Sequence, residues 1–466
     1  MSNIHSRRDL LRHASCGFGY LALQAMLGDA AAADKASVAG SLAPRSPHFP
    51  ARAKRVIFLF MSGGPSHVDL FDPKPQLTKY DGKPVPAEVR TKLGDKARSG
   101  KLNGSRWKFQ QHGAGGLWIS ELFPELATQA DKLCLVNSVH CDSPAHIAAC
   151  QQLHTGQTNF LRPSLGAWTL YGLGTENQSL PGFTAIGQLG RGGGPINLGS
   201  AFLPAAYQAT SIGRGPQGPT ISYLDRGNVS AGLQRRQIET IGALTRELTE
   251  RTDRDTQLDG VIQSYELAFR MQSVAPELLD LNRETAETHA LYGIGPGKST
   301  DTFGRNCLLA RRLAQAGVRF IEVGDSGKWD QHARLDVELP EVCRATDRPI
   351  AGLLADLARL GMLEETLVVW GGEFGRTPTG TGNGRDHNRY GYTMWFAGGG
   401  VRGGMTYGKT DDLGFTAVEN PVHIHDLHAT ILHLLGLDHK RLTYRYSGRD
   451  FRLTDVHGQV IAGIIA

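Results

Sequence analysis

Arg55-Val56-Ile57-Phe58-Leu59-Phe60-Met61, running directly into Ser62-Gly63-Gly64-Pro65, is the stretch whose reading decides the fold. Apolar residues follow one another with no polar face between them. A run of this length, closed by a Gly/Pro turn, fits a strand buried on both sides, as in a parallel sheet. Short apolar runs at 133–136, 318–323, 366–370 and 392–397 repeat the theme. Helical patterns at 120–131, 144–153, 307–316, 350–360 and 424–435 alternate with them. Strands alternating with helices predict an α/β fold, a doubly wound, mostly parallel sheet with helices on both faces. Residues 73–117 are polar and Gly/Lys-rich and read as an excursion from that core. The apolar spacing of Leu233, Ile238, Ile241, Leu244 and Leu248, then Val261, Ile262, Tyr265 and Leu267, predicts an inserted helical subdomain over about 227–293.

With 466 residues, 40% hydrophobic and 20% charged, the chain can build one large domain or two medium ones, and disorder is not indicated. The net charge of +5 is mild and no dense Lys/Arg block occurs, which argues against a nucleic-acid surface. A slightly basic chain does suit an anionic substrate. The 58 glycines cluster irregularly, as at 190–194 and 398–400, so neither collagen nor a repeat array fits.

Ser6-Arg7-Arg8-Asp9-Leu10-Leu11 resembles a twin-arginine export signature; residues 16–27 are uncharged and mostly apolar, and residues 30–33 are alanines suited to cleavage. Residues 1–33 are therefore read as a signal peptide, 34–53 as a linker and 54–466 as the α/β domain. An ordinary secretory signal is the plainer alternative. The His13-Ala14-Ser15 lead-in is poor for lipid attachment at Cys16. The expected location is periplasmic or extracellular. No later stretch approaches the roughly 20 apolar residues of a transmembrane helix. Five of the six cysteines follow the signal, an odd count that implies at least one free thiol.

Acidic and imidazole residues follow the predicted strands, where ligands sit in open α/β sheets. Ser66-His67-Val68-Asp69 follows the first, His140 to His146 the second, Trp329-Asp330-Gln331-His332 the third, and Glu373-Phe374-Gly375-Arg376 the fourth, with Arg385-Asp386-His387 shortly beyond. Mixed carboxylate and imidazole donors suit Zn, Mn or Fe. Asp69, Asp330, His332, Glu373, Asp386 and His387 are the candidate metal ligands. Arg376 and Arg385 are candidates for holding an anionic group bidentately. Each has a blander reading: a surface loop pair for Asp330 and His332, a capped turn for Asp386 and His387, a salt bridge to Arg376 for Glu373. Asp72 reads as a turn cap. His140, His154, His423, His425, His428 and His433 read as structural.

Three stretches in order resemble the family called domain of unknown function 1501. They are Gly63-Gly64-Pro65-Ser66-His67-Val68-Asp69-Leu70-Phe71-Asp72-Pro73-Lys74; Trp329-Asp330-Gln331-His332; and Glu373-Phe374-Gly375-Arg376-Thr377-Pro378 with Gly384-Arg385-Asp386-His387. The resemblance spans roughly residues 52–440, and that family looks like a branch of the alkaline phosphatase and sulfatase superfamily. It implies an alkaline-phosphatase-like fold and one or two divalent ions, Zn or Mn. Asp330 and His332 are similar to the Asp and His of the superfamily's first metal site, and His387 to its later His. Glu373 takes the place of an Asp ligand, while Phe374 stands where a His is expected. Leu153-His154-Thr155-Gly156 matches the end of the nucleophile helix. Counting back places His146 at or near the nucleophile, as metal ligand, general base or phosphate acceptor. Cys141 lacks the Cys-x-Pro-Ser-Arg context of formylglycine sulfatases, because Asp142-Ser143-Pro144-Ala145 follows it.

Two functions stay open. One is a metal-dependent hydrolase of a phosphate or sulfate ester, on a sulfated or phosphorylated polysaccharide, with His146, Arg376 and Arg385 as catalytic residues. The other is a catalytically degenerate, metal-containing protein that binds a surface glycan or protein partner. A phosphate-transferring mutase is a weaker third reading, since no serine or threonine nucleophile stands out.

Overall fold

The computed structural model describes residues 42–97, 100–187, 194–215, 218–221, 224, 229–251, 256–325, 328–380 and 382–466. The signal-peptide reading at 1–33 and the start of the linker lie outside the described residues. The predicted first strand forms at Arg55–Phe60 in the middle of a ten-stranded sheet. It runs parallel to Phe320–Gly324 on one side and Thr366–Gly371 on the other. Beyond Phe320–Gly324 lie Phe183–Ile186, Thr210–Gly215 and the antiparallel Gly218–Ile221; beyond Thr366–Gly371 lie Tyr392–Ala397, Leu133–His140 and Met405–Tyr407.

Alternate residues of these strands feed two cores, as the pleat requires. Val56, Phe58 and Phe60 belong to one core with the helices His146–Thr155, Leu165–Leu173 and Ile424–Leu434. Ile57 and Leu59 belong to the other with Asp301–Gln315 and Leu335–Arg359. The fold is thus α/β, with a mainly parallel sheet and helices on both faces. Full burial of each strand side chain stabilises the fold by roughly 1.5–3 kcal/mol, which is why the run carries no polar residue.

One departure from parallel order places the site. Tyr392–Ala397 runs antiparallel to both of its neighbours. Its N-terminal end therefore lies beside the C-terminal ends of the parallel strands, with Tyr392 opposite Val139. The segment before it, containing Arg385, Asp386 and His387, reaches the same rim as the loops that follow the other strands.

Several elements differ from expectation. The helix expected at 120–131 is a strand, Leu117–Ser120, paired with Phe109–His112, then a short helix Pro124–Ala127 and a 3-10 turn. Pro124 can begin a helix but not sit inside one. The helix expected at 350–360 extends back to Leu335 through Pro340 and Pro349. Its buried stripe of Leu339, Val342, Cys343, Thr346, Ile350, Leu353 and Leu357 continues across both prolines. That burial offsets the roughly 3 kcal/mol that each interior proline costs. The polar excursion has a small core of its own, in which Leu77, Val85, Ala97 and Leu102 meet Val68, Leu413 and Phe415. In the stretch read as a linker, Arg45, Arg52 and Ala53 make backbone hydrogen bonds to Leu173 and Leu434. Helices Ala231–Arg251 and Thr256–Leu279 occupy the region of the predicted insertion.

The five cysteines among the described residues are all free and buried. His428 is buried and its Nε2–H donates to the Leu153 carbonyl at 2.7 Å. Burial, only partly opposed by that hydrogen bond, pulls its pKa down to about 3. The unfolded residue binds a proton near pH 6.5 while the folded one does not, so its contribution to stability is complete above that pH and is lost as pH falls from 6.5 toward 3. Urea unfolding at decreasing pH should show up to ~1.4 kcal/mol lost per pH unit from this residue. The slope should flatten by that amount in His428→Asn.

Candidate functional site

The loops at the rim bring His146, Asp330, His332, Asp386 and His387 together. Asp330 is central. Its Oδ1 lies 3.0 Å from His332 Nε2 and 3.2 Å from His387 Nε2, and its Oδ2 lies 3.3 Å from His146 Nε2. His332 Nδ1 is 3.3 Å from Asp386 Oδ1. Ligand atoms of His146, Asp330 and His387 all fall within 4.8 Å of one another.

Backbone and carboxylate partners fix how the two inner rings point. His387 Nδ1 lies 2.6 Å from the Pro144 carbonyl, which can only accept, so Nδ1 carries a proton. The Nε2 of the neutral ring is then a lone pair, facing Asp330 and, at 2.9 Å, His332 Nε2. His146 Nδ1 likewise donates to Glu373 Oε1 at 2.6 Å. Its Nε2 is buried without a hydrogen-bond partner, beside Asp330 Oδ2. Glu373 is itself held by the Gly63 N–H at 3.0 and 3.1 Å. Carboxylate–histidine pairs of this kind orient metal-ligating imidazoles and raise their basicity.

Lone pairs facing a carboxylate repel unless protons or a cation lie between them. With protons alone, burial lowers the His146 pKa, but the nearby carboxylates of Asp330 and Glu373 outweigh it and push it up to about 9. Burial would raise the Asp330 pKa, but His146, His387 and Arg376 hold it well below the usual carboxylate range. Burial lowers the His387 pKa, and Asp330 opposes this only in part. The set of donors, imidazole and carboxylate with an orphaned buried nitrogen, fits a divalent cation.

The remaining candidates sit differently. Asp69 and Arg385 are fully buried and paired bidentately with each other, at 2.6 and 3.0 Å. Ser66 donates to the same Asp69 carboxylate at 2.5 Å. Arg376, 1% exposed, bonds the carbonyls of Gly63, Gly64 and Arg385 and contacts Asp330 at 2.5 Å. Both guanidiniums thus face carboxylates and carbonyls of the scaffold. Glu373 meets the ring of His146 rather than the other ligand atoms. Phe374, at the place of an expected second histidine, stacks on His387 with ring centres 4.3 Å apart. The Pro144 carbonyl and Gly63 N–H, which orient the rings, escaped sequence reasoning because every residue offers the same backbone groups. His154 is buried between Glu322 and the Cys150 carbonyl, outside the cluster.

Close main-chain contacts hold the loops. Gly63 has φ +118°, and a Cβ there would lie 2.6 Å from Asp330 N. A Cβ at Gly384 would lie 1.9 Å from the His332 carbonyl oxygen.

Fold and site together define an α/β protein with a carboxylate–imidazole cluster at its sheet rim. The chain belongs to the family described as "Protein of unknown function (DUF1501)", whose profile matches residues 53–465. No curated protein matches it. Among solved structures, it is similar to Ps i-CgsB in complex with k-i-k-neocarrahexaose (12% identity, 82% of this chain and 72% of that one, TM-score 0.39). It is also similar to the PsFucS1 sulfatase from Pseudoalteromonas sp. (13% identity, 87% and 70%, TM-score 0.33). A third is a histidine-to-glutamate mutant of TAB5 alkaline phosphatase with Mg bound in its M3 site (11% identity, 83% and 99%, TM-score 0.35).

Removing one partner of a buried ion pair leaves the other charge uncompensated. Arg376→Gln and Asp69→Asn should each cost about 3–5 kcal/mol in denaturant unfolding. A loss below about 1 kcal/mol would show that these pairs do not hold the rim.

Proposed function

We propose that this protein is an exported, metal-dependent hydrolase of a phosphate or sulfate ester carried on a saccharide. The observation that carries the reading is the convergence on Asp330 of His146 and His387, each turned by a hydrogen bond at its far nitrogen so that a lone pair faces the carboxylate. Asp330, His146 and His387 would hold one cation, with His332 and Asp386 beside it. The cation would supply Lewis-acid polarisation of an anionic ester. Glu373 fixes the ring of His146, and Arg376 fixes Asp330 against the Gly63–Gly64 turn. His332, nearly half exposed, stands at the open side of the cluster and is the group placed to exchange protons with a substrate or leaving group.

The binding-protein reading draws on a separate observation. Arg376 and Arg385 are engaged by the scaffold, and neither opens toward solvent.

Elemental analysis of the purified protein, followed by aryl phosphate and aryl sulfate assays with and without chelator, separates the two. The hydrolase reading expects bound metal, chelator-sensitive turnover, and loss of both in His387→Ala. Metal retention without turnover on any ester would favour the binding protein; a metal-free protein active at full rate in chelator would overturn the site. Glu373→Gln, which weakens the orientation of His146, should lower metal affinity about 10–100-fold while leaving the ligand atoms in place.

A further inference from the structure

A hairpin of Tyr444–Tyr446 and Arg449–Phe451 stands apart from the main sheet. Its register sets Tyr444 opposite Phe451 and Tyr446 opposite Arg449, so these residues share one face. That face meets Phe202, whose ring lies 5.9 Å from Tyr444 and 5.0 Å from each of Tyr446 and Phe451. The Arg162 guanidinium lies among the same rings, 4.5 Å from the centre of Phe451 and 5.5 Å from that of Phe160. The outer edge of the cluster is open: Phe160 is 60% exposed and Tyr446 47%.

The charges are not balanced. Arg449 lies 4.8 Å from the Phe451 ring and is paired with Asp455. Among the described residues Arg162 makes no ion pair, and its one hydrogen bond goes to the Leu161 carbonyl at 3.3 Å. Burial, and then the neighbouring Arg449, lower its pKa, and Asp455, already paired with Arg449, opposes this only in part. Aromatic faces keep a guanidinium flat and its N–H edge available to an oxyanion. Exposed aromatic rings in turn accept the C–H-rich face of a pyranose.

The patch is joined to the metal cluster through one helix. Gln151 donates to the Phe160 carbonyl at 2.6 Å, and the helix His146–Thr155 that bears it starts at the cluster. Gln151 lies five residues along that helix from His146, a rise of roughly 7.5 Å.

We propose that Phe160, Arg162 and Tyr446 form a binding site for an anionic saccharide, the rings stacking on sugar and Arg162 holding a sulfate, phosphate or carboxylate substituent. The site names the substrate class of the proposed hydrolase and rests on that reading for its catalytic meaning, though not for its binding.

Isothermal titration of the full protein tests it, with a sulfated tetrasaccharide, a phosphorylated one, neutral cellotetraose, inorganic sulfate, inorganic phosphate and a polyglutamate peptide. At least one anionic tetrasaccharide should bind tenfold or more tighter than cellotetraose, its free anion and polyglutamate. Arg162→Gln and Phe160→Ala should each weaken that binding at least fivefold at unchanged Tm, while Trp118→Ala, at an exposed aromatic ring elsewhere, leaves it within twofold. The proposal is overturned by no saccharide binding, by equal binding of cellotetraose or polyglutamate, or by variants that bind as the parent does. Binding that survives with no turnover of any ester would leave this site standing and remove the hydrolase.

Discussion

Arg376 places a full positive charge where water does not reach, and the surrounding backbone has been arranged to receive it. Three carbonyls, of Gly63, Gly64 and Arg385, and the carboxylate of Asp330 surround the guanidinium. Those partners come from the turn after the first strand, the loop after Phe320–Gly324 and the segment that enters Tyr392–Ala397. One planar cation therefore spans three loops, which also meet through main-chain hydrogen bonds such as that from Arg385 N–H to the Gln331 carbonyl. Arg385 repeats the device one layer deeper with Asp69. A lysine in either place would offer a point charge with no fork to span the partners.

On that scaffold the chemistry is polarised by backbone. The Pro144 carbonyl and the Gly63 N–H decide, through His387 and Glu373, which ring nitrogens turn inward. The acid and imidazole side chains would be ordinary surface groups without that orientation. Phe374 closes the wall behind them, stacked on His387 and 4.9 Å from the His146 ring.

Much of this was legible in residue order, and the reason is the sheet. A strand buried on both faces has to be written as an unbroken apolar run, so Arg55–Phe60 and Thr366–Gly371 announce themselves. The loops after these strands and after Phe320–Gly324 then locate Asp69, Glu373 and Asp330 at one rim. Residue types alone did not separate Asp330, which meets the imidazoles, from Asp69, which meets a guanidinium. Both follow buried strands, and only the third dimension shows which partner each one faces. The reach of Leu335–Arg359 was hidden by its prolines, since packing outweighed propensity there. The antiparallel sense of Tyr392–Ala397 was hidden as well, because a strand reads the same in either direction. The patch around Arg162 left no mark in sequence because its rings come from residues 160, 202 and 444–451, joined only by folding.

Gly384 and the His332 backbone touch so closely that no side chain could be inserted between them. The main chains of the two loops that deliver His332 and His387 are consequently locked against each other at that point. Were a cation held there as proposed, the two loops could not part to admit a larger one without breaking that contact. Selectivity would then be inherited from a glycine that offers no ligand atom of its own.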